Sequence, residues 1–161
     1  MSGQTRTHSR TAQHTAEREK LRKAVFRYID GSILRGYLSS DDLELIGKDE
    51  SVSFPVKSAD GQVHEARATI LKAIFLVKTF EGSRDYSEFK VFSNQPNGKG
   101  VWVRVHFLDG EIIEGIAPNY LDTYAKPVFY LVPPDPGSNN QAVLVSKCSL
   151  REMHILGLAT E

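Results

Sequence analysis

The chain has 161 residues, 40% hydrophobic and 25% charged, with 20 basic side chains balanced by 20 acidic ones and one cysteine. This excludes a disulfide scaffold, and no apolar run approaches the roughly 20 residues that a helix needs to cross a bilayer. The N-terminal stretch has no apolar core of the signal-peptide kind, so the reducing cytoplasm is the expected compartment.

Residues 1 to 22 read as a disordered basic tail. Arg6, Arg10, Arg18, Lys20, Arg22 and Lys23 face only Glu17 and Glu19, while Ser, Thr and Gln fill most of the remaining places. Such a segment buries too little apolar surface to order itself, and its charge suits phosphate contacts. A short helix capped by Thr15 fits residues 15 to 23.

Residues 23 to 77 read as the first of two small β-barrels. Ala24, Phe26 and Tyr28 alternate with Val25 and Arg27, run into Asp30-Gly31, and continue into Ile33-Leu34. Period-two alternation into Asp-Gly is a hairpin signal. Gly36, five residues past the turn glycine, reads as a sharp bend of the second strand. Further strands are expected over 51–57 and 63–69, on either side of Asp60-Gly61. Leu71, Ile74 and Val77 then fit a helical turn entering a closing strand, with a short helix as the alternative.

Residues 78 to 100 form the expected connection. Phe80, Tyr86, Phe89 and Phe92 are more aromatics than a tether requires, so 78–93 is read as a packing arm and 94–100 as the joint.

Residues 101 to 158 repeat the first barrel. Val101, Val103, Val105 and Phe107 alternate with Trp102, Arg104 and His106, then run into Asp109-Gly110, Ile112-Ile113 and Gly115. These positions follow their counterparts by 79 residues, as Leu150, Met153 and Leu156 follow Leu71, Ile74 and Val77. Parity requires an odd loop: Leu108, Asp109 and Gly110 as a three-residue turn would set Arg104 opposite Glu114. Strands are expected over 128–132 and 142–146, around the proline-rich tip at Pro133, Pro134 and Pro136.

In a duplicated chain, shared residues are architecture and unshared ones carry specificity. Gly31, Gly36, Gly110 and Gly115 are therefore structural. Trp102, Arg104 and His106 form an outward stripe that the first half replaces with Lys23, Val25 and Arg27, making the stripe the candidate partner contact; the competing reading is that the tryptophan packs. Cys148 and His154 lack a third group to orient them as nucleophile and base. Histidines 8, 14, 64, 106 and 154 show no ligand spacing, so no metal, cofactor or enzyme activity is expected.

The run from Val103 to Gly115, repeated at Phe26 to Gly36, resembles the first signature of Sm-like small β-barrels, relatives of the SH3-like barrels. The resemblance implies an all-β fold of two tandem five-stranded barrels, and single-stranded RNA as a ligand class. Asp41, Asp42 and Asp122 fall near the Sm base pocket, but the Asn that should follow is missing. The phrases from Lys72 to Gly82 and from Asp135 to Asn140 are similar to an uncharacterised bacterial family, which transfers architecture and bacterial origin but no activity. Arg6/Arg10, Arg18/Arg22 and Asp30-Gly31-Ser32 resemble the cyclic di-GMP elements of PilZ barrels, with the glycine one residue late at Gly36. The expected role is a non-catalytic bacterial adaptor that recognises a protein by a strand edge, an inter-barrel groove or the Trp102 face, with homodimerisation open. Nucleic-acid binding through the tail is the alternative, and cyclic di-GMP a further one.

Overall fold

The structure is a computed structural model that describes residues 21–49, 51–82, 100–119, 123 and 125–159. Arg6, Arg10, Arg18 and Lys20 of the tail, Tyr86, Phe89 and Phe92 of the arm, and Asp122 lie outside the described residues. Arg22 and Lys23 belong to the first strand rather than to a tail or its helix.

The chain is mostly β. Strands β1 (Arg22–Tyr28) and β2 (Ile33–Leu38) form the first hairpin, closed by a three-residue loop in which Gly31 adopts φ 86°. Strands β6 (Gly100–Phe107) and β7 (Ile112–Ala117) form its counterpart, with Gly110 at φ 89°. Only glycine takes this left-handed conformation without strain, which is why Asp-Gly recurs at both turns. The registers are the same 79 residues apart: Ala24 faces Gly36 as Val103 faces Gly115, and Val25 faces Arg35 as Arg104 faces Glu114.

After β2 the chain forms helix α1 (Ser40–Lys48), then β3 (Ser53–Ser58), β4 (Val63–Arg67), a 3₁₀ turn over Ala68–Ile70, and β5 (Leu71–Val77), which returns to pair with β1. The second half follows with β8 (Val128–Leu131), β9 (Asn140–Ser146), a 3₁₀ turn over Lys147–Ser149, and β10 (Leu150–Ala159), which pairs with β6. Both return strands carry a register shift at the equivalent place, beside Tyr28 and beside Leu150. The pair Phe54–Ala66 matches Phe129–Val145. Relative to the first half, the second therefore shortens the connection before β8 and lengthens the hairpin after it by the same amount.

Gly36 and Gly115 sit where another segment crosses β2 or β7. A Cβ on Gly36 would lie 2.5 Å from Val56 Cγ1 and 2.7 Å from the Lys57 carbonyl oxygen; one on Gly115 would lie 2.7 Å from the Val132 carbonyl oxygen.

The strands do not pair as two self-contained units. They form a seven-stranded sheet in the order β4-β3-β2-β1-β5-β9-β8 and a three-stranded sheet in the order β10-β6-β7, and the Ile116–Val132 bridge links β7 to the end of β8. The junction is antiparallel pairing of β5 with β9, Ile74 to Leu144 and Phe75 to Val143. Every residue of β5 is buried, because its two faces serve different cores. Ile74 and Leu76 join Phe26, Leu38 and Phe54, whereas Ala73, Phe75 and Val77 join Val103, Val105 and Leu131. The halves thus join directly through β5 and β9, while most of the packing arm and joint expected over 78–100 lies outside the described residues.

Helix α1 is a second departure from the sequence reading, which passed 39–50 as polar connection. Its signal is a capping box: the Asp42 N–H donates to Ser39 Oγ at 3.0 Å and the Ser39 N–H to Asp42 Oδ2 at 3.2 Å. Asp41 and Asp42 in the first turn and Lys48 in the last suit the helix dipole. Leu43 and Ile46, three apart, bury against the first core.

Candidate functional site

A groove of about 480 Å³ lies between α1 and β8, lined from both halves. This is the size range of small-ligand and side-chain pockets. Because Leu43 and Ile46 turn inward, α1 presents Glu44, Gly47 and Lys48 to the groove, and β1 contributes Arg22 at its first position. The opposite wall is Lys126, Phe129 and Tyr130, with Leu43, Val128 and Leu144 as apolar lining.

Beyond its chain neighbours and the helix's own backbone, no heavy atom of the described residues lies within 4 Å of where a Gly47 Cβ would stand. Lys48 pairs with Glu44 one turn earlier, which holds the Glu44 carboxyl below its ordinary range, with Lys126 adding to the effect. Burial pushes the Tyr130 phenol up, opposed by the charge of Arg22, so it is a neutral hydrogen-bonding group at physiological pH. Three cations against one carboxylate give the groove an excess of positive charge over an apolar lining.

A second polar cluster joins the halves. Lys72 on β5 is 8% exposed and donates to Asp109, at 2.5 Å, and to Glu111 of the opposite hairpin turn. It also lies 4.5 Å from the centroid of the Phe107 ring. Arg27 pairs with the same Glu111 at 2.8 Å and stacks over Phe75 at 4.4 Å. Lys72 holds the Asp109 carboxyl below its ordinary range, helped by the Glu111 N–H. Each group here has a partner within the chain, so the arrangement fits joining rather than chemistry.

The expected stripe on β6 is divided. Trp102 is 2% exposed, which corrects the reading of an open aromatic: alternation assigns a face but says nothing of what covers it. Arg104 pairs across the hairpin with Glu114 at 2.6 Å, as parity required. His106 turns the other way, toward β10, where Glu152 and His154 stand.

The remaining candidates disperse. Asp30 accepts from both the N–H and the hydroxyl of Ser32, at 2.8 and 2.6 Å, so its carboxylate is committed to its own turn. Asp42 is committed to the helix cap. Cys148 is exposed and lies 3.1 Å from Ser146 Oγ, with His154 engaged by Glu152. The phrases Lys72 to Gly82 and Asp135 to Asn140 meet in space: the Thr79 N–H donates to Asn139 Oδ1, and Asn139 Nδ2 donates back to the Thr79 carbonyl, each at 3.0 Å. The proline-rich tip therefore anchors the start of the arm. The groove residues other than Arg22 escaped sequence reasoning, and the Ser39/Asp42 cap was the one local signal that would have placed the Glu44–Lys48 face.

The chain belongs to a family of unknown function, DUF6982, whose model matches residues 20–157. No curated protein and no solved structure matches it. Among the described residues, no helix is long and apolar enough to cross a membrane.

Proposed function

We propose that this member of the family is a non-catalytic binding module of the bacterial cytoplasm. Its two halves, residues 23–77 and 101–158, are tandem five-stranded barrels of the Sm/SH3-like kind, open at their edges and fused through β5 and β9. Support for this architecture comes from the repeated strand order, the 3₁₀ turn before each return strand and the two glycines at strand crossings. The module captures an acidic segment of a protein partner, with an aliphatic or aromatic side chain seated in the groove between the halves.

The observation that carries this reading is the groove itself, where Arg22, Lys48 and Lys126 surround an apolar lining built from both halves. A peptide library displayed against the full chain tests it. Selected peptides should carry Asp or Glu beside one large apolar residue. Arg22→Glu and Lys126→Glu should each weaken them about tenfold, equivalent to about 1.4 kcal/mol, without lowering the melting temperature. Two results sink the reading: selected peptides that bind Arg22→Glu and Lys126→Glu as well as wild type, or labelled single-stranded RNA that binds more tightly than any peptide and loses its affinity when residues 1–20 are removed.

A further inference from the structure

On the outer face of β6 and β10, three ligand-type side chains, none of which lines the groove, converge. Glu152 stands directly opposite His106 in the antiparallel register, and His154, two residues along β10, projects from the same face. Glu152 Oε1 is 3.8 Å from His106 Nδ1, and Glu152 Oε2 is 3.3 Å from His154 Nε2. One ligand atom from each residue lies within 4.8 Å of the other two. A tetrahedral ion with bonds of about 2.0–2.1 Å holds its donors about 3.3 Å apart, so modest side-chain rotation closes the set.

We propose that this chain binds one divalent transition-metal ion, zinc by preference, through His106, Glu152 and His154, with a fourth position open to water or to a partner's side chain. Two imidazoles and a carboxylate select zinc and its first-row neighbours over magnesium or calcium, which take oxygen ligands. Three features of the fold support the assignment.

Arg104, the cation on the same face, is drawn toward β7 by Glu114, whose side chain is only 10% exposed, and so leaves Glu152 to the imidazoles. His106 buries Nε2, which has no hydrogen-bond partner among the described residues, so Nδ1 is the nitrogen presented to an ion. The first half has Arg27, Ala73 and Phe75 at the corresponding places, where Ala73 and Phe75 pack into the core beside β9. On β10 the corresponding Glu152 and His154 side chains stay 49% and 48% exposed, within reach of an ion from solution.

The test is isothermal titration of the metal-free full chain with zinc chloride, alongside cobalt(II) absorption spectra. The expected result is one site per chain with a dissociation constant of micromolar order, and cobalt bands of four- or five-coordinate intensity. His154→Ala and Glu152→Gln should each weaken zinc at least tenfold while the far-UV circular dichroism stays that of wild type. A His8→Ala/His14→Ala variant should bind as wild type does. The proposal is overturned if zinc does not bind, if it binds His154→Ala and Glu152→Gln undiminished, if only the His8/His14 variant loses it, or if cobalt gives the weak bands of six-coordination.

Discussion

Alanine at Gly36 or Gly115 is the sharpest test of how the halves curl. The new Cβ at Gly36 would stand 2.5 Å from Val56 Cγ1 and 2.7 Å from the Lys57 carbonyl oxygen, against an ordinary van der Waals approach of about 3.5 Å. The Val56 methyl can swing aside, but the Lys57 oxygen is backbone, so β3 must withdraw by most of an ångström. The ladder pairs Gly36–Ser58 and Tyr37–Lys57 and the Ala59 N–H donated to the Arg35 carbonyl hold β3 to β2, and that withdrawal strains them. Overpacking of this kind costs about 1–3 kcal/mol, and for a chain of this length each kcal/mol lowers the melting temperature by about 2–4 °C. Gly115→Ala meets the Val132 carbonyl oxygen at 2.7 Å, beside the bridge that links β7 to the end of β8, and should cost the same. Gly47→Ala is the internal control. It sits within α1 with nothing within 4 Å of its Cβ position, so alanine there should stabilise by about 0.5–1 kcal/mol. Thermal and urea melts followed by circular dichroism measure all three. If Gly36→Ala and Gly115→Ala melt with Gly47→Ala rather than well below it, the crossing glycines are not steric and the account of strand curvature fails.

The same Gly47→Ala protein, although stabilised, should bind groove-selected peptides more weakly, because the added methyl enters the groove; unchanged affinity would place the peptide elsewhere. Trp102→Ala should cost about 3–5 kcal/mol in urea unfolding, because a side chain 2% exposed leaves a cavity when truncated, and peptide affinity should persist in the folded fraction. Lys72→Ala should cost about 1–3 kcal/mol, less than a fully buried ion pair because Asp109 remains 53% exposed, and Lys72→Met should recover part of it by covering Phe107. Because the Asp109 carboxyl is held below its ordinary range when folded, its contribution is complete above the unfolded value of about 4 and is lost as pH falls through the lowered one. Asp109→Asn should accordingly flatten the fall in melting temperature below about pH 4, and an unchanged acid limb would remove Asp109 from that role.

Local pattern settled whatever depends on neighbours along the chain. Alternation in 101–107, the Asp-Gly turns and loop parity are enough to place Arg104 opposite Glu114, because a hairpin's register follows from its own turn. The offset of 79 residues made the duplication visible, and it separated the glycines that shape strands from the side chains that differ between halves. Helix α1 stayed hidden because Asp41, Gly47 and the polar residues around them favour a loop by propensity, and only burial of Leu43 and Ile46 tips the balance. The pairing of β5 with β9 is a contact between strands about 70 residues apart, and no local period encodes which of two exposed edges will meet. The groove exists because that pairing brings α1 against β8, and the His106–Glu152–His154 cluster exists because β10 returns beside β6. Residue types and turns were therefore legible one strand at a time, whereas the groove and the His106–Glu152–His154 cluster are meetings of elements distant in sequence, decided by burial of apolar surface that belongs to neither element alone.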